Sequence, residues 1–118
     1  MRLLFIDDEP IILRSYKRSF GKQHDVVTAT NGHDALHMIE NSAFDVIVCD
    51  MTMPAMTGMQ LYMHVRDRAP HLVDRFVFAT GGAVQSTIED FLRTITNPVL
   101  EKPFELSELH DVVSHLAA

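Results

Sequence analysis

A single cysteine, Cys49, cannot close an internal disulfide, so this chain has to hold itself together by burial, in keeping with a reducing cytoplasm. Long apolar runs are missing as well. The longest span about four or five residues, far short of the roughly 20 that a membrane helix needs. Met1-Arg2 ahead of four apolar residues and two aspartates does not have the form of a secretory leader. Positive charge is scarce: ten Lys and Arg stand against sixteen Asp and Glu, a formal net charge of −6. The basic residues read as scattered rather than clustered, which argues against direct nucleic acid binding. Repeats, low-complexity tracts and linkers are absent too, so 1–118 reads as one domain, large enough to bury a core unaided.

What is present is an alternation. Short β-type runs at Leu3–Ile6, Asp25–Thr30, Phe44–Cys49, Arg75–Ala79 and Val99–Leu100 are separated by helical patterns. That order predicts βα units and a parallel sheet. The first, third and fourth runs are continuously apolar, as strands covered on both faces are, whereas the second is more polar and is expected at an edge. Pro10 opens the first helix, which runs to Phe20 before Gly21, with Ile12, Tyr16 and Phe20 forming its inward stripe. Asn31-Gly32 opens the second, with Ala35, Leu36 and Ile39 inward. The third spans Gly58 to Arg68 on Leu61 and Val65, and Pro70 ends it. The fourth carries Val84, Ile88, Phe91, Leu92 and Ile95, and the fifth Leu106, Leu109, Val112, Val113 and Leu116. The expected fold is a flavodoxin-like (βα)5 sandwich of strand order 2-1-3-4-5, helices on both faces.

The chemistry sits where the strands stop. Asp7 and Asp8 follow the first strand, Asp50 ends the third, Thr80 ends the fourth, and the fifth leads through Glu101 to Lys102-Pro103. In an open parallel sheet all of these emerge at one edge, where ligands bind. Three carboxylates, a hydroxyl and an ammonium suit a magnesium ion and a phosphoryl group.

Four segments, FIDDEP at 5–10, VCDMTMP at 48–54, FATGG at 78–82 and EKPF at 101–104, carry a resemblance to the response-regulator receiver domains of two-component signalling. The stretches VDRFVFATGG and NPVLEKPF resemble receivers attached to hybrid histidine kinases. The resemblance implies that Asp50 is the phosphoacceptor. A carboxylate nucleophile forms an acyl phosphate and splits the transfer to water into two steps. It also implies that Asp8, Asp50 and the backbone carbonyl of Thr52 bind magnesium directly, with Asp7 acting through water. Thr80 would donate to a phosphoryl oxygen, helped by Gly81-Gly82. Lys102 would offset charge on that group, and its bond to Pro103 would be cis. The implied partner is a histidine kinase or histidine phosphotransfer protein, docking near Ile11, Ser15, Arg18 and Phe104. A phosphorylation-dependent homodimer and a cytoplasmic location are further implications. The implied role is that of a signalling switch or relay, not an enzyme.

Some positions depart from the family. Three residues before Lys102, where an aromatic is usual, stands Val99, and Thr52 and Gly82 flank the path of the attacking water. Five methionines between Met51 and Met63 read as adaptable packing rather than a copper(I) site, since no Cys or His completes one. His33 and His37 share zinc spacing but lack a third ligand, and Asp7 or Asp8 also has the chemistry of a cap for the first helix. Cys49 reads as a small buried hydrophobe. A haloacid-dehalogenase-type phosphatase needs a second Asp where Thr52 stands, a docking module without phosphate would not need all five site residues, and a flavin carrier would need a Gly-rich loop after the first strand.

Overall fold

The computed structural model describes residues 1–81 and 86–117. Gly82 and Val84, named above for the loop and the fourth helix, lie outside the described residues. Five parallel strands, β1 (Arg2–Ile6), β2 (Asp25–Ala29), β3 (Val46–Asp50), β4 (Phe76–Gly81) and β5 (Val99–Lys102), form one sheet in the order β2-β1-β3-β4-β5. The helices are α1 (Pro10–Phe20), α2 (Gly32–Asn41), α3 (Gly58–Arg68), α4 (Ser86–Thr94) and α5 (Leu106–Ala117). The expected flavodoxin-like order is found, with the polar β2 at an edge. A short 3-10 helix, Pro70–Arg75, fills the passage from α3 to β4 and was not expected.

Alternation along the strands splits the core into two layers. Leu4, Ile6, Ile47, Cys49, Phe76 and Phe78 face one side of the sheet, where α2, α3 and α4 pack. Leu3, Phe5, Val46, Val48 and Val77 face the other, under α1 and α5. Each fully buried phenylalanine among them contributes about 2–3 kcal/mol of transfer free energy. The stripe of α1 is rotated from the expected one: Leu13 is buried with Tyr16 and Phe20, while Ile12 is only half-buried. Tyr62 joins Leu61 and Val65 beneath α3, its ring 5.2 Å from Phe91 of α4.

Local chemistry starts the helices where the sequence suggested, with one exception. Asn31 caps α2 by accepting from the Asp34 amide, and Thr57 and Gln60 form a reciprocal capping box on α3. At α1 neither Asp7 nor Asp8 is the cap. Glu9 holds that position without a side-chain bond, because Asp7 turns back to accept from the Glu9 amide at 2.9 Å. Met51, Met53 and Met56 are buried around the loop after β3, as packing requires, and His33 and His37 are exposed. One distribution differs from the sequence reading. Arg14, Lys17, Arg18 and Lys22 gather on α1 and its end with no acidic residue among residues 10–22, so the basic residues are not evenly scattered.

Candidate functional site

Register brings the strand ends into line. Ile6 of β1 pairs with Cys49 of β3, and Asp50 pairs with Ala79 of β4. One step further along β4, Thr80 pairs with Glu101, and Gly81 pairs with Lys102. Asp7 therefore emerges beside Asp50 on the central strands, with Thr80 and Lys102 on the flanking ones. One carboxylate oxygen from each of Asp7, Asp8 and Asp50 falls within 4.8 Å of the others. Asp7 is 1% exposed and Asp50 5%, while Asp8 is open to solvent.

Two of these charges share one counterion. Lys102 Nζ donates to Asp7 Oδ2 at 2.9 Å and lies 3.6 Å from Asp50 Oδ2. Lys102, expected to offset charge on a phosphoryl group, has Asp7 rather than Asp50 as its closer partner in this structure. Burial alone would lower the Lys102 ammonium, but the Asp7 hydrogen bond and the Asp50 charge outweigh it and hold it above its ordinary value. Burial pushes the Asp50 carboxyl upward, opposed by the Thr52 amide and Lys102 and reinforced by Asp7 and Asp8. The Thr52 amide donates to Asp50 Oδ1 at 3.2 Å, which brings the Thr52 main chain to the rim of the cluster.

Gly58 lets this rim close. A Cβ there would stand 2.8 Å from the Asp50 carbonyl oxygen and 3.0 Å from Met51, so only glycine allows α3 to start so near the phosphoacceptor candidate. Cys49 is buried, with its thiol pushed up by burial, and its Sγ lies 3.4 Å from the Asp50 carbonyl oxygen. It packs and does not react. The Lys102-Pro103 bond is cis, as the resemblance implied.

Two clefts open beside the cluster. One, of about 450 Å³, is lined by Thr80, Gly81, Lys102, Glu101, Val99 and α4 residues, with Val99 37% exposed at its side. The other, of about 480 Å³ and mostly apolar, lies between α1 and the start of α5 and includes Tyr16, Lys102, Pro103 and Phe104. Tyr16 was read only as part of an inward stripe. The polar phenol, rather than an aliphatic side chain, is what sets this position apart within the stripe.

The donor set fits a hard divalent cation. Three carboxylates supply oxygen ligands, two of them on buried main chain, and with Lys102 as the near cation their summed charge is two negative. Thr80, 8% exposed, stands one residue beyond the register partner of Asp50. Such a constellation can hold a phosphoryl group between a carboxylate nucleophile, a cation and a hydroxyl donor.

Comparison with known proteins agrees in family and fold. A family model described as response regulator receiver domain matches residues 3–114. The chain is 29% identical over its full length to 14% of the autoinducer 2 sensor kinase/phosphatase LuxQ of Vibrio vulnificus. It spans between 14% and 33% of the length of the first curated relatives. Among solved structures, one described as adenylate cyclase from Rhodopirellula baltica superposes with a TM-score of 0.86 at 27% identity, covering 98% of this chain and 86% of that one. The response regulator TrrA from Thermotoga maritima, solved with magnesium and beryllofluoride, gives 0.78 at 25% identity, covering 98% and 97%.

Proposed function

The chain belongs to the response regulator receiver family, and from that premise we propose that Asp50 accepts a phosphoryl group with Asp7, Asp8, Thr52, Thr80 and Lys102 as its site. The receiver domain of a two-component system is what the family assigns; the individual roles are our reading. The observation that carries it is the convergence of three carboxylates on one edge, two of them sharing one lysine.

In this reading an Asp50 carboxylate oxygen attacks phosphorus in line. The bond from phosphorus to the donor breaks, and the donor atom, an imidazole nitrogen or an acyl oxygen, leaves with the electron pair. Asp8, Asp50 and the Thr52 carbonyl would hold magnesium, which would supply charge neutralisation at the phosphoryl oxygens. Lys102 moves its charge from Asp7 toward the phosphoryl group, and Thr80 donates its hydroxyl to a phosphoryl oxygen. The product is a stored acyl phosphate rather than a released one, so the chain acts as a signalling switch and not as a turnover enzyme. The donor is a histidine kinase or histidine phosphotransfer protein. Ile11, 72% exposed, with Ser15, Arg18 and Phe104, forms the docking rim. Among the described residues no helix is long and apolar enough to cross a membrane, and we place the domain in the cytoplasm, where its donor works. A homodimer formed on phosphorylation is part of the same reading.

Incubation with acetyl phosphate and magnesium should raise the intact mass by one phosphoryl group, and chelation or Asp50→Asn should abolish the rise. Full labelling of the Asn variant would remove Asp50 from the role.

A further inference from the structure

Tyr16 stands on the inward face of α1, buried, with its ring 4.9 Å from that of Phe5 on β1. An aliphatic side chain would fill this stripe equally well, so packing accounts for the ring and not for its oxygen. The tyrosine lines the apolar cleft that also takes in Lys102, Gly81 and Pro103, so the two residues Tyr16 and Lys102 share one opening. Burial raises the phenol to about 12, with Lys102 pulling it back and Asp7 and Asp50 adding to the rise. It is therefore a neutral group at any working pH, able to accept one hydrogen bond and donate another.

Lys102 meanwhile places one of its three donors on Asp7. When the ammonium turns toward a phosphoryl group on Asp50 that donor loses its acceptor, and a partly buried donor left without a partner is costly. We propose that Tyr16 is a positioning residue for Lys102, its phenol oxygen accepting from Nζ once the lysine turns from Asp7 toward a phosphoryl group on Asp50. The inference rests on the phosphoacceptor reading for its functional meaning. The coupling of Tyr16 to Lys102 is measurable without it. Freed of Asp7, Nζ keeps two donors for the phosphoryl oxygens and the third for the phenol. The phenol hydrogen remains available for water or a phosphoryl oxygen.

The test combines two readouts on the full chain. Asp7→Ala combined with Asp50→Ala removes both carboxylates that compete for Lys102, without metal or phosphate. In that background Tyr16→Phe, which keeps the ring against Phe5, should lower the folding equilibrium constant in urea by about five-fold, the size of one hydrogen bond. The loss should vanish when Lys102→Met is added, as a double-mutant cycle requires. With both aspartates intact, Tyr16→Phe should lower the limiting rate of labelling by acetyl phosphate about five-fold, leaving the half-saturating concentration of acetyl phosphate unchanged. A stability loss that persists with Lys102→Met would make Tyr16 a packing residue and overturn the proposal. So would coupling without any change in labelling of a protein that does label. If no variant labels, wild type included, while the coupling appears, the phosphoacceptor reading fails and the Tyr16–Lys102 contact stands. If neither is seen, both fall.

Discussion

Replacing Asp50 by asparagine should stabilise the metal-free protein at neutral pH, although it removes the proposed phosphoacceptor. The three carboxylates approach within 4.8 Å, and a like pair at that distance repels by about 3.5 kcal/mol at an effective dielectric near 20. Asp7 is buried and exerts most of its share on Asp50, while solvent around exposed Asp8 cuts the second contribution well below the first. Against them Lys102, at 3.6 Å from Asp50 Oδ2, attracts by about 4.6 kcal/mol on the same scale. The Coulomb terms nearly cancel. The decision then falls to desolvation, which the largely buried Asp50 carboxylate suffers and an asparagine amide does not. The asparagine oxygen can still accept from the Thr52 amide. A net gain of about 1–2 kcal/mol follows for a buried charge compensated only in part, a rise of roughly 4 °C in Tm per kcal/mol in a domain of this size.

The sign of the pH dependence follows from the same shift. The folded carboxyl lies above its unfolded value, so the native state binds the proton more readily. The penalty is fully present above the folded pKa and is relieved as pH falls toward the unfolded value of about 4. The gap between Asp50→Asn and wild type should therefore be widest at pH 7 and close on acidification. Urea unfolding followed by circular dichroism across that range measures it. An asparagine variant no more stable than wild type at pH 7, or a gap that widens in acid, would refute the reasoning.

Gly58→Ala should cost about 1–2 kcal/mol in urea titration, because its clash with the Asp50 carbonyl and Met51 exceeds the roughly 1 kcal/mol of helix propensity gained. Gly81→Ala, whose Cβ meets among the described residues nothing nearer than Lys102 carbons at 3.9 Å, should change stability by less than about 0.5 kcal/mol. Ile11→Ser combined with Phe104→Ser should slow transfer from the cognate kinase and spare labelling by acetyl phosphate, and equal loss of both would mean damage to the fold. In a magnesium–beryllofluoride complex Thr80 and Gly81 should shift while Val99, stiff at χ1, keeps its rotamer. A changed Val99 rotamer beside a static Thr80 would overturn that account.

The sheet was legible because each strand is a short apolar run ended by a polar residue, and period-two burial leaves little choice of register once one edge must be polar. The candidate metal-binding trio was legible for the same reason: Asp7, Asp8 and Asp50 are fixed by where β1 and β3 stop. What the chain order could not convey is which groups meet across strands. Lys102 is 95 residues from Asp7, and its preference for Asp7 over Asp50 depends on the parallel offset of β5. The α1 stripe shows a similar limit, since Ile12 and Leu13 both suit a helical period and only the packing of the folded chain buries the second more fully.

The Asp-Asp-Glu-Pro segment makes the limit concrete. Short-range chemistry offers three carboxylates as the start of α1, and an aspartate ahead of Pro10 is the ordinary choice. The folded chain leaves Glu9 at the cap and gives Asp7 two tasks. Its Oδ1 accepts the Glu9 amide and its Oδ2 takes the Lys102 ammonium. One buried carboxylate thus ties the entry of a helix to the cation of the site. Removing it should loosen both, and no local pattern assigns one side chain to two elements so far apart in sequence.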